Sequence, residues 1–239
     1  MHITTVLFDL DGTLLPMDND EFTNGYFKFL VAKMAPYGYE PKKLIDTIWT
    51  GTYEMVRNDG SVSNEEAFWR KAAEIYGQKV LDDKHLFEEF YSNEFQQGQQ
   101  FCGYNPLANE AVSLCKALGY RVALATNPLF PEPAQYIRIG WAGLHADDFE
   151  LITNYTNTNY CKPNPAYFQN VADRLGVEPA ECLMVGNDAW EDTVSEKIGM
   201  HPFLITDWMI NKKNADIDQW PHGGFEDLMA YLRGLKAEG

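Results

Sequence analysis

The sequence predicts an α/β fold, a Rossmann-like parallel sheet with helices on both faces, plus a small all-helical cap domain. In the second half of the chain, short apolar runs alternate with segments of helical period, an order typical of parallel strands joined by right-handed crossovers. After the first apolar run, by contrast, no strand-like run occurs between Pro16 and Phe101. The 239 residues are enough for one core and a smaller second unit.

Five short runs rich in β-branched or apolar residues end in polar residues, which indicates buried strands. They are Ile3 to Phe8, Arg121 to Thr126, Phe149 to Thr153, Cys182 to Gly186 and His201 to Ile205. The predicted helices of the core are Leu107 to Leu118, Glu132 to Trp141, Pro165 to Leu175, Glu191 to Ile198 and Phe225 to Leu235. Because active sites of such folds lie beyond the carboxyl ends of the strands, residues at those ends are the first candidates for chemistry.

The connection after the first strand contains amphipathic segments with helical spacing. They are Asp20 to Met34, Pro41 to Val56, Asn64 to Tyr76 and Asp82 to Phe95. A connection of this length is not a plain loop in a compact domain. We therefore expect residues 16–101 to form a helical cap, and residues 1–15 and 102–239 to form the catalytic core. The cap should lie over the carboxyl end of the sheet and act as a lid, with Trp49 and Tyr53 in its own interior.

The composition limits the possible partners. The chain carries 19 Lys plus Arg against 35 Asp plus Glu, a formal net charge of −16, so nucleic acid and anionic membranes are not expected partners. No apolar run has membrane-spanning length and no signal peptide is recognisable, which favours a cytoplasmic protein. The four cysteines are far apart in sequence and are expected to be reduced thiols. We expect a monomer or a homodimer.

Unusual polar residues come directly after the predicted strands. They are Asp9, Asp11, Gly12 and Thr13 after the first strand, Thr126 and Asn127 after the second, Lys162 in the loop after the third, and Asn187, Asp188, Glu191 and Asp192 after the fourth. Each has an ordinary explanation by itself, such as a turn, a solvated charge or a negative first helical turn. Their joint occurrence at successive strand ends predicts one polar site.

These residue types fit phosphoryl transfer. A carboxylate fixed at the end of a buried strand, Asp9, can attack phosphorus, and Asp11, two residues later, returns to the same side to protonate the leaving group. Lys162 supplies a fixed positive charge and Thr126 a hydroxyl donor. Asp9 and Asp188 provide carboxylates for Mg²⁺, without which an anionic nucleophile would repel an anionic substrate.

The same residues resemble the motifs of the haloacid dehalogenase-like hydrolase superfamily. These are Asp-x-Asp-Gly-Thr at Asp9 to Thr13, a strand ending in Thr126, Lys-Pro-x-Pro at Lys162 to Pro165, and an acidic motif at Gly186 to Asp192. The segment 16–101 resembles the helical cap of one large subgroup. The resemblance implies a Mg²⁺-dependent phosphatase with Asp9 as nucleophile, Asp11 as acid and then base, and Thr126 and Lys162 as phosphate holders.

The resemblance also implies a metal site and a substrate site. The expected Mg²⁺ residues are Asp9, Asp11 through its backbone carbonyl, Asp188 and Asp192. Here Asn187 comes after Gly186 where the family often has aspartate, so either Asp188 takes the metal directly or Asn187 contributes a neutral ligand. The expected phosphate- or substrate-binding residues are Gly12, Thr13 and Asn127 in the core and Arg57 and Asn58 in a cap turn.

The predicted activity is hydrolysis of a small-molecule phosphate monoester through an aspartyl-phosphate intermediate. A phosphomutase using the same site remains an alternative, because the core motifs do not separate water from a sugar hydroxyl as acceptor. A non-catalytic binding or regulatory module of the same fold is the third. Asp11 argues against a small-haloacid dehalogenase, which has no task for a second carboxylate there.

Overall fold

The structure is a computed structural model that describes residues 2–238. Its centre is a five-stranded sheet in the order β2-β1-β3-β4-β5, with every neighbouring pair parallel. The strands are β1 (Thr5–Phe8), β2 (Arg121–Leu124), β3 (Cys182–Gly186), β4 (His201–Ile205) and β5 (His222–Gly223). The predicted α/β fold with a parallel sheet is thus confirmed.

The helices of the chain fall into two groups. Between β1 and β2 lie α1 (Asn19–Met34), α2 (Pro41–Val56), α3 (Asn64–Tyr76), α4 (Gln78–Asp82), α5 (Lys84–Ser92), a 3₁₀ stretch at Glu94–Phe101 and α6 (Pro106–Ala117). After β2 come α7 (Glu132–Trp141), α8 (Pro165–Leu175) and α9 (Phe225–Glu238). None of the helices within residues 2–238 is both long and apolar enough to cross a bilayer.

Helices cover both faces of the sheet because successive strand residues point to opposite sides. Leu7 of β1 belongs to an apolar cluster with Phe168 and Val171 of α8. Its neighbours along the strand belong to the other cluster, which includes Val112 of α6 and Leu228 of α9. All four residues of β1 are buried. The main chain of Asp9, the next residue, is therefore held in place by the packed strand.

Two predicted core elements differ from the structure. Phe149 to Thr153 is not a strand; only Ile152 forms an isolated parallel bridge, with Leu124. Glu191 to Ile198 is not an α-helix but a 3₁₀ helix over Thr193–Ile198. The preceding turn is held instead by Asp188, whose Oδ1 accepts from the N–H groups of Trp190 and Glu191, and such side-chain bonds compete with a regular helix.

The helices α1 to α5 and the 3₁₀ stretch after them pack mainly on one another: α2 lies on α3, and α1 lies on the 3₁₀ stretch Glu94–Phe101. Two chain connections join them to the sheet, and the two meet in an antiparallel bridge between Met17 and Cys102. The N–H of Gly103 also donates to the carbonyl of Pro16 at 2.7 Å. The division at residues 15/16 and 101/102 therefore stays a prediction, to which the bridge lends support.

The expected interior positions of Trp49 and Tyr53 are wrong. Their side chains are 53% and 56% exposed. Both lie on α2, whose buried face is formed instead by residues including Leu44, Ile48 and Met55. Trp49 sits one residue beyond that face and contacts Phe27 of α1 edge-on, with ring centroids 5.7 Å apart.

Candidate active site

A buried ion-pair network lies at the carboxyl end of β1. The Lys162 ammonium, 1% exposed, is 2.9 Å from Asp9 Oδ1 and 2.6 Å from Asp192 Oδ1. Although burial disfavours the ammonium, Asp192 and Asp9 hold the pKa of Lys162 above its usual value. The loop after the isolated bridge and the turn after β3 thus bring a cation and a second carboxylate to the residue just beyond β1.

Asp9 lies in a strongly negative, dehydrated environment. Burial raises the pKa of its carboxyl to about 7, with Lys162 opposing the rise and Asp192 and Asp11 adding to it. The Asp9 N–H donates to the Val185 carbonyl of β3 at 2.8 Å, which fixes the main chain. One internal cation does not balance these carboxylates, so the site favours an additional positive charge.

Gly12, Thr13 and Asn187 form the floor of the site. Gly12 has φ +76°, and a Cβ on it would lie 2.2 Å from the Asn187 side chain, so both its conformation and the close approach require glycine. The Thr13 hydroxyl lies 3.2 Å from Asp9 Oδ2 and 3.2 Å from Asn187 Oδ1. Two side-chain oxygens from different strand ends are thereby brought to one point.

Asp11 is paired with a residue that the sequence motifs do not include. Its Oδ2 accepts from the guanidinium of Arg138, a fully buried side chain of α7. Arg138 also donates to Gln135 Oε1, and its guanidinium lies 4.2 Å from the Phe130 ring centroid. Asp11 Oδ1 is buried and has no hydrogen-bond partner among residues 2–238. Arg138 therefore fixes Oδ2 of Asp11, whereas Oδ1 has no hydrogen-bond partner within the described residues.

A signal for Arg138 exists in the sequence. Ala134, Arg138 and Trp141 lie at helical spacing, and all are buried. A charged residue in such an apolar stripe is buried only when it is paired. The spacing does not identify Asp11 as the partner, because that contact joins positions 127 residues apart.

Thr126 and Asn127 line the same cavity as Asp9. The Thr126 carbonyl accepts from the hydroxyls of Thr153 at 2.7 Å and Tyr167 at 2.8 Å, which fixes the chain after β2. Asn127 Oδ1 accepts from the Lys162 N–H at 3.2 Å. The structure thus brings both predicted residues to the site.

The acidic residues after β3 make different contacts. Asp192 uses both oxygens, one on Lys162 and the other on the Asp188 N–H at 2.9 Å. Asp188 and Glu191 line the cavity, and Glu191 Oε2 accepts from Asn127 at 2.9 Å. Burial raises the pKa of Asp188, and burial raises that of Glu191 to about 7. Asn187 lies on the side of Asp9 Oδ2, the oxygen that does not contact Lys162, because both residues neighbour the Thr13 hydroxyl. Asp192 lies on the side of Lys162.

The oxygen-bearing side chains around Asp9 are few, but their type suits Mg²⁺. Within residues 2–238, no three His, Cys, Asp or Glu side chains converge into a ready-made metal site. Mg²⁺ typically uses one or two carboxylates and keeps water and substrate oxygens in its other positions. The excess of negative charge at Asp9 and the convergence of Asp9 and Asn187 oxygens at Thr13 fit such an ion.

Arg57 and Asn58 are not brought to the site and do not line the cavity. Arg57 is exposed, and its guanidinium lies over the Tyr53 ring at 5.2 Å. Asn58 is buried and donates to the Val62 carbonyl and Asn64 Oδ1, both at 2.9 Å, so it holds its own turn together.

The chain is similar in sequence to known phosphate hydrolases. The profile of the haloacid dehalogenase-like hydrolase family matches residues 3–194. Phosphoglycolate phosphatase of Neisseria gonorrhoeae is 26% identical over 198 residues, which covers 82% of this chain and 76% of that protein. Pyrophosphatase PpaX of Bacillus cereus is 23% identical over 189 residues, or 79% of this chain and 76% of that one.

Solved structures agree on the fold. A HAD phosphatase from Thermococcus onnurineus has a TM-score of 0.56 at 22% identity, covering 97% of this chain and 99% of the other. A 2-haloacid dehalogenase from Pseudomonas syringae pv. Tomato DC3000 has a TM-score of 0.60 at 18% identity, covering 99% of both. At these identities the likeness concerns the fold alone.

Proposed function

Because the chain belongs to the haloacid dehalogenase-like hydrolase family, we propose that it is a phosphatase that hydrolyses a small-molecule phosphate monoester with the help of Mg²⁺. The observation that carries the proposal is the contact of Lys162 with Asp9 at the end of β1, with Asp11 beside it. The relatives named phosphoglycolate phosphatase and pyrophosphatase give further support.

In the proposed first step, an oxygen of Asp9 attacks phosphorus and the ester oxygen departs. Lys162 stabilises negative charge on the transferred group, and the Thr126 hydroxyl donates to it. Asp11, which lines the cavity, gives a proton to the leaving oxygen, while Arg138 holds its Oδ2 in place. The products of this step are an alcohol and a phosphoryl group on Asp9.

In the second step, water attacks the phosphorus and restores the Asp9 carboxylate. Asp11, now deprotonated, accepts the proton of that water, so the acid of one step is the base of the next. Asn127 accepts from the Lys162 N–H and donates to Glu191, so it holds the loops that carry these two residues in fixed positions. Inorganic phosphate is released.

The residues that would hold Mg²⁺ are Asp9, the main-chain carbonyl of Asp11, Asp188 and Asn187. Asn187 enters this set because its Oδ1 and Asp9 Oδ2 share Thr13 as a neighbour. Asp192 is assigned instead to Lys162, since both of its oxygens are engaged. The bound ion would neutralise charge on the phosphate and on Asp9.

Phosphate release from 4-nitrophenyl phosphate tests the proposal. Wild type should release phosphate with Mg²⁺, lose turnover on chelation and recover it when Mg²⁺ is returned. Asp9→Asn should lose at least about a thousandfold in kcat, because the nucleophile is gone. The matched control is Asp207→Asn, outside the cavity lining. Full turnover under chelation, or transfer to a sugar hydroxyl without phosphate release, would contradict hydrolysis with Mg²⁺.

A further inference from the structure

The cavity above Asp9 is far larger than a phosphate group. Its volume is about 750 Å³, in the range of pockets that enclose whole organic ligands. Asp9, Thr126 and Lys162 line one end, and residues of α1, α2, α3 and α5 line the other. The end formed by these helices must therefore receive the leaving group of any ester whose phosphorus lies at Asp9.

Aromatic rings dominate the wall contributed by those helices. Trp69 packs edge-on against both Phe68 and Phe87, with ring centroids 5.2 and 5.4 Å apart. Trp49 of α2 stands edge-on to Phe27 of α1. All five rings line the cavity. A wall of aromatic rings can bury a flat apolar group and make further edge-to-face or offset-stacked contacts with it.

Trp49 is the most exposed of these five rings. Its ring is 53% exposed although it lies beside a buried helix face and lines the cavity. A large apolar side chain left uncovered next to a cavity costs hydrophobic free energy unless a ligand covers it. Trp49 is thus the ring most available to an incoming group.

The carboxylates of this wall disfavour an anionic leaving group. The carboxylates that α1, α3 and α5 contribute to the cavity lining are Asp20, Glu65 and Glu88, and those helices contribute no Lys, Arg or His to the lining within the described residues. Glu65 is ion-paired with Lys84 of α5, which leaves Asp20 and Glu88 as the unbalanced charges of the wall. Lys162 is engaged by Asp9 and Asp192. Lys212 and Lys213 also line the cavity, but they lie after β4 and not on the helices of the wall, and Lys213 lies on the Trp190 ring.

We infer that the substrate is the phosphate monoester of an uncharged aromatic alcohol or phenol, with its ring between Trp49 and the Trp69 side of the wall. The inference rests on the proposed phosphatase activity and narrows it. It separates this chain from the relatives named for phosphoglycolate and pyrophosphate, whose leaving groups carry negative charge. Such a group would here face Asp20 and Glu88, for which no ion pair occurs within residues 2–238, whereas Glu65 is paired with Lys84.

The test compares pairs of esters whose leaving groups differ in size or charge but are both aryl or both alkyl. Among aryl esters, 2-naphthyl phosphate is compared with phenyl phosphate; among alkyl esters, 2-phenylethyl phosphate is compared with 2-phosphoglycolate. The larger or uncharged aromatic member of each pair should have the higher kcat/KM, by about tenfold or more. Trp49→Ala should lower kcat/KM for 2-naphthyl phosphate about fivefold or more and remove most of the preference.

The matched control is Tyr37→Ala, which removes another exposed ring of the same helical segment, 45% exposed and outside the cavity lining. It should leave kcat/KM unchanged for all four esters. Equal or faster hydrolysis of 2-phosphoglycolate than of 2-phenylethyl phosphate would overturn the inference. So would an equal loss in both Trp49→Ala and Tyr37→Ala.

Calorimetric binding to Asp9→Asn separates this inference from the activity itself. The variant should bind 2-naphthyl phosphate more tightly than phenyl phosphate, and 2-phosphoglycolate most weakly. If wild type hydrolyses all esters without preference, the substrate class is wrong and the phosphatase proposal stands. If wild type hydrolyses none and the variant binds none, both are wrong.

Discussion

Arg138 fixes the position of Asp11, the proposed general acid. It is fully buried, and its guanidinium contacts Asp11, Gln135 and the Phe130 ring. Arg138→Gln should therefore reduce kcat about tenfold or more for an alkyl phosphate and much less for 4-nitrophenyl phosphate, whose leaving group needs no proton. Steady-state kinetics with the two esters check this.

The control for Arg138→Gln is Arg174→Gln, an arginine of α8 that donates to the Asn157 carbonyl. It should change neither ester. Adding Arg138→Gln to Asp11→Asn should cost little further activity, because both changes remove the same function. An equal loss for both esters would mean that Arg138 acts through packing and not through Asp11.

Glu191 should make the metal-free protein less stable at high pH. Burial raises the pKa of its carboxyl to about 7, whereas the ordinary value is 4.5. The folded state thus binds a proton more tightly than the unfolded state, and stability declines as the pH rises from about 4.5 through 7. Glu191→Gln should be more stable than wild type at about pH 8, with a difference that shrinks toward about pH 5.

Urea unfolding in the presence of a chelator measures this difference, with Glu110→Gln, an exposed residue of α6, as the control. The control should match wild type at both pH values. A stability gain of Glu191→Gln that is the same at both ends of the pH range would rule out titration of Glu191 as the cause.

Most of the candidate site residues were predictable because they stand at strand ends. Asp9, Asp11, Thr126 and Lys162 were recognisable from strand ends and short motifs, and the structure brings them to one cavity. Their catalytic roles stay proposals. Arg138 and Asn187 were harder to assign, since their significance comes from contacts distant in sequence. Arg57 and Asn58 were expected from analogy between cap turns, and local bonding keeps Asn58 in its own turn.

Asn64 ties the helical segment to the core. Its side chain, fully buried, donates to Thr158 Oγ1 at 3.2 Å, the Tyr160 carbonyl at 3.1 Å and Cys161 Sγ at 3.3 Å. The partners belong to the loop that leads to Lys162. The start of α3 is therefore fastened to the loop that supplies the phosphate-binding cation.

Asn64→Ala should lower the free energy of unfolding by about 1–3 kcal/mol, because buried polar partners lose their bonds. We propose that residues 16–101 open as one cap, so hydrogen exchange should quicken at residues 58–66 and 155–162 and stay slow inside α2. Asn93→Ala, which removes an exposed contact within one helix, is the control. Faster exchange throughout α2 would contradict a cap that moves as a unit.

The strand predictions were right for two short apolar runs. The predictions were wrong where side-chain hydrogen bonds determine the local structure. Cys182–Gly186 and His201–Ile205 are strands with the predicted bounds. The two-residue strand β5 carries no apolar pattern and was missed. Thr193–Ile198 forms a 3₁₀ helix, at whose start the Thr193 and Ser195 hydroxyls donate to the main-chain carbonyls of Ala189 and Asp192 and compete with a regular helix.

For the whole molecule, the order of elements was enough to predict the sheet and the helical insert. The apolar contact between the two parts was not predictable: Phe22, Tyr26 and Phe95 pack against Phe130 and Trp141 of the core. This cluster lies beside the cavity, so it couples the position of the helices to the site. The monomer or homodimer expected from the sequence stays a prediction.

In the proposed mechanism Asp9 carries the phosphoryl group during turnover, and chemical trapping can detect that group on the protein. Wild type is mixed with excess 2-naphthyl phosphate and Mg²⁺, quenched in acid within one turnover, digested and analysed by mass spectrometry. If Asp9 is the nucleophile, the peptide that contains it should carry one added phosphoryl group, and the same peptide of Asp9→Asn should carry none. Steady phosphate release with no phosphorylated peptide, or with the group on another residue, would contradict it.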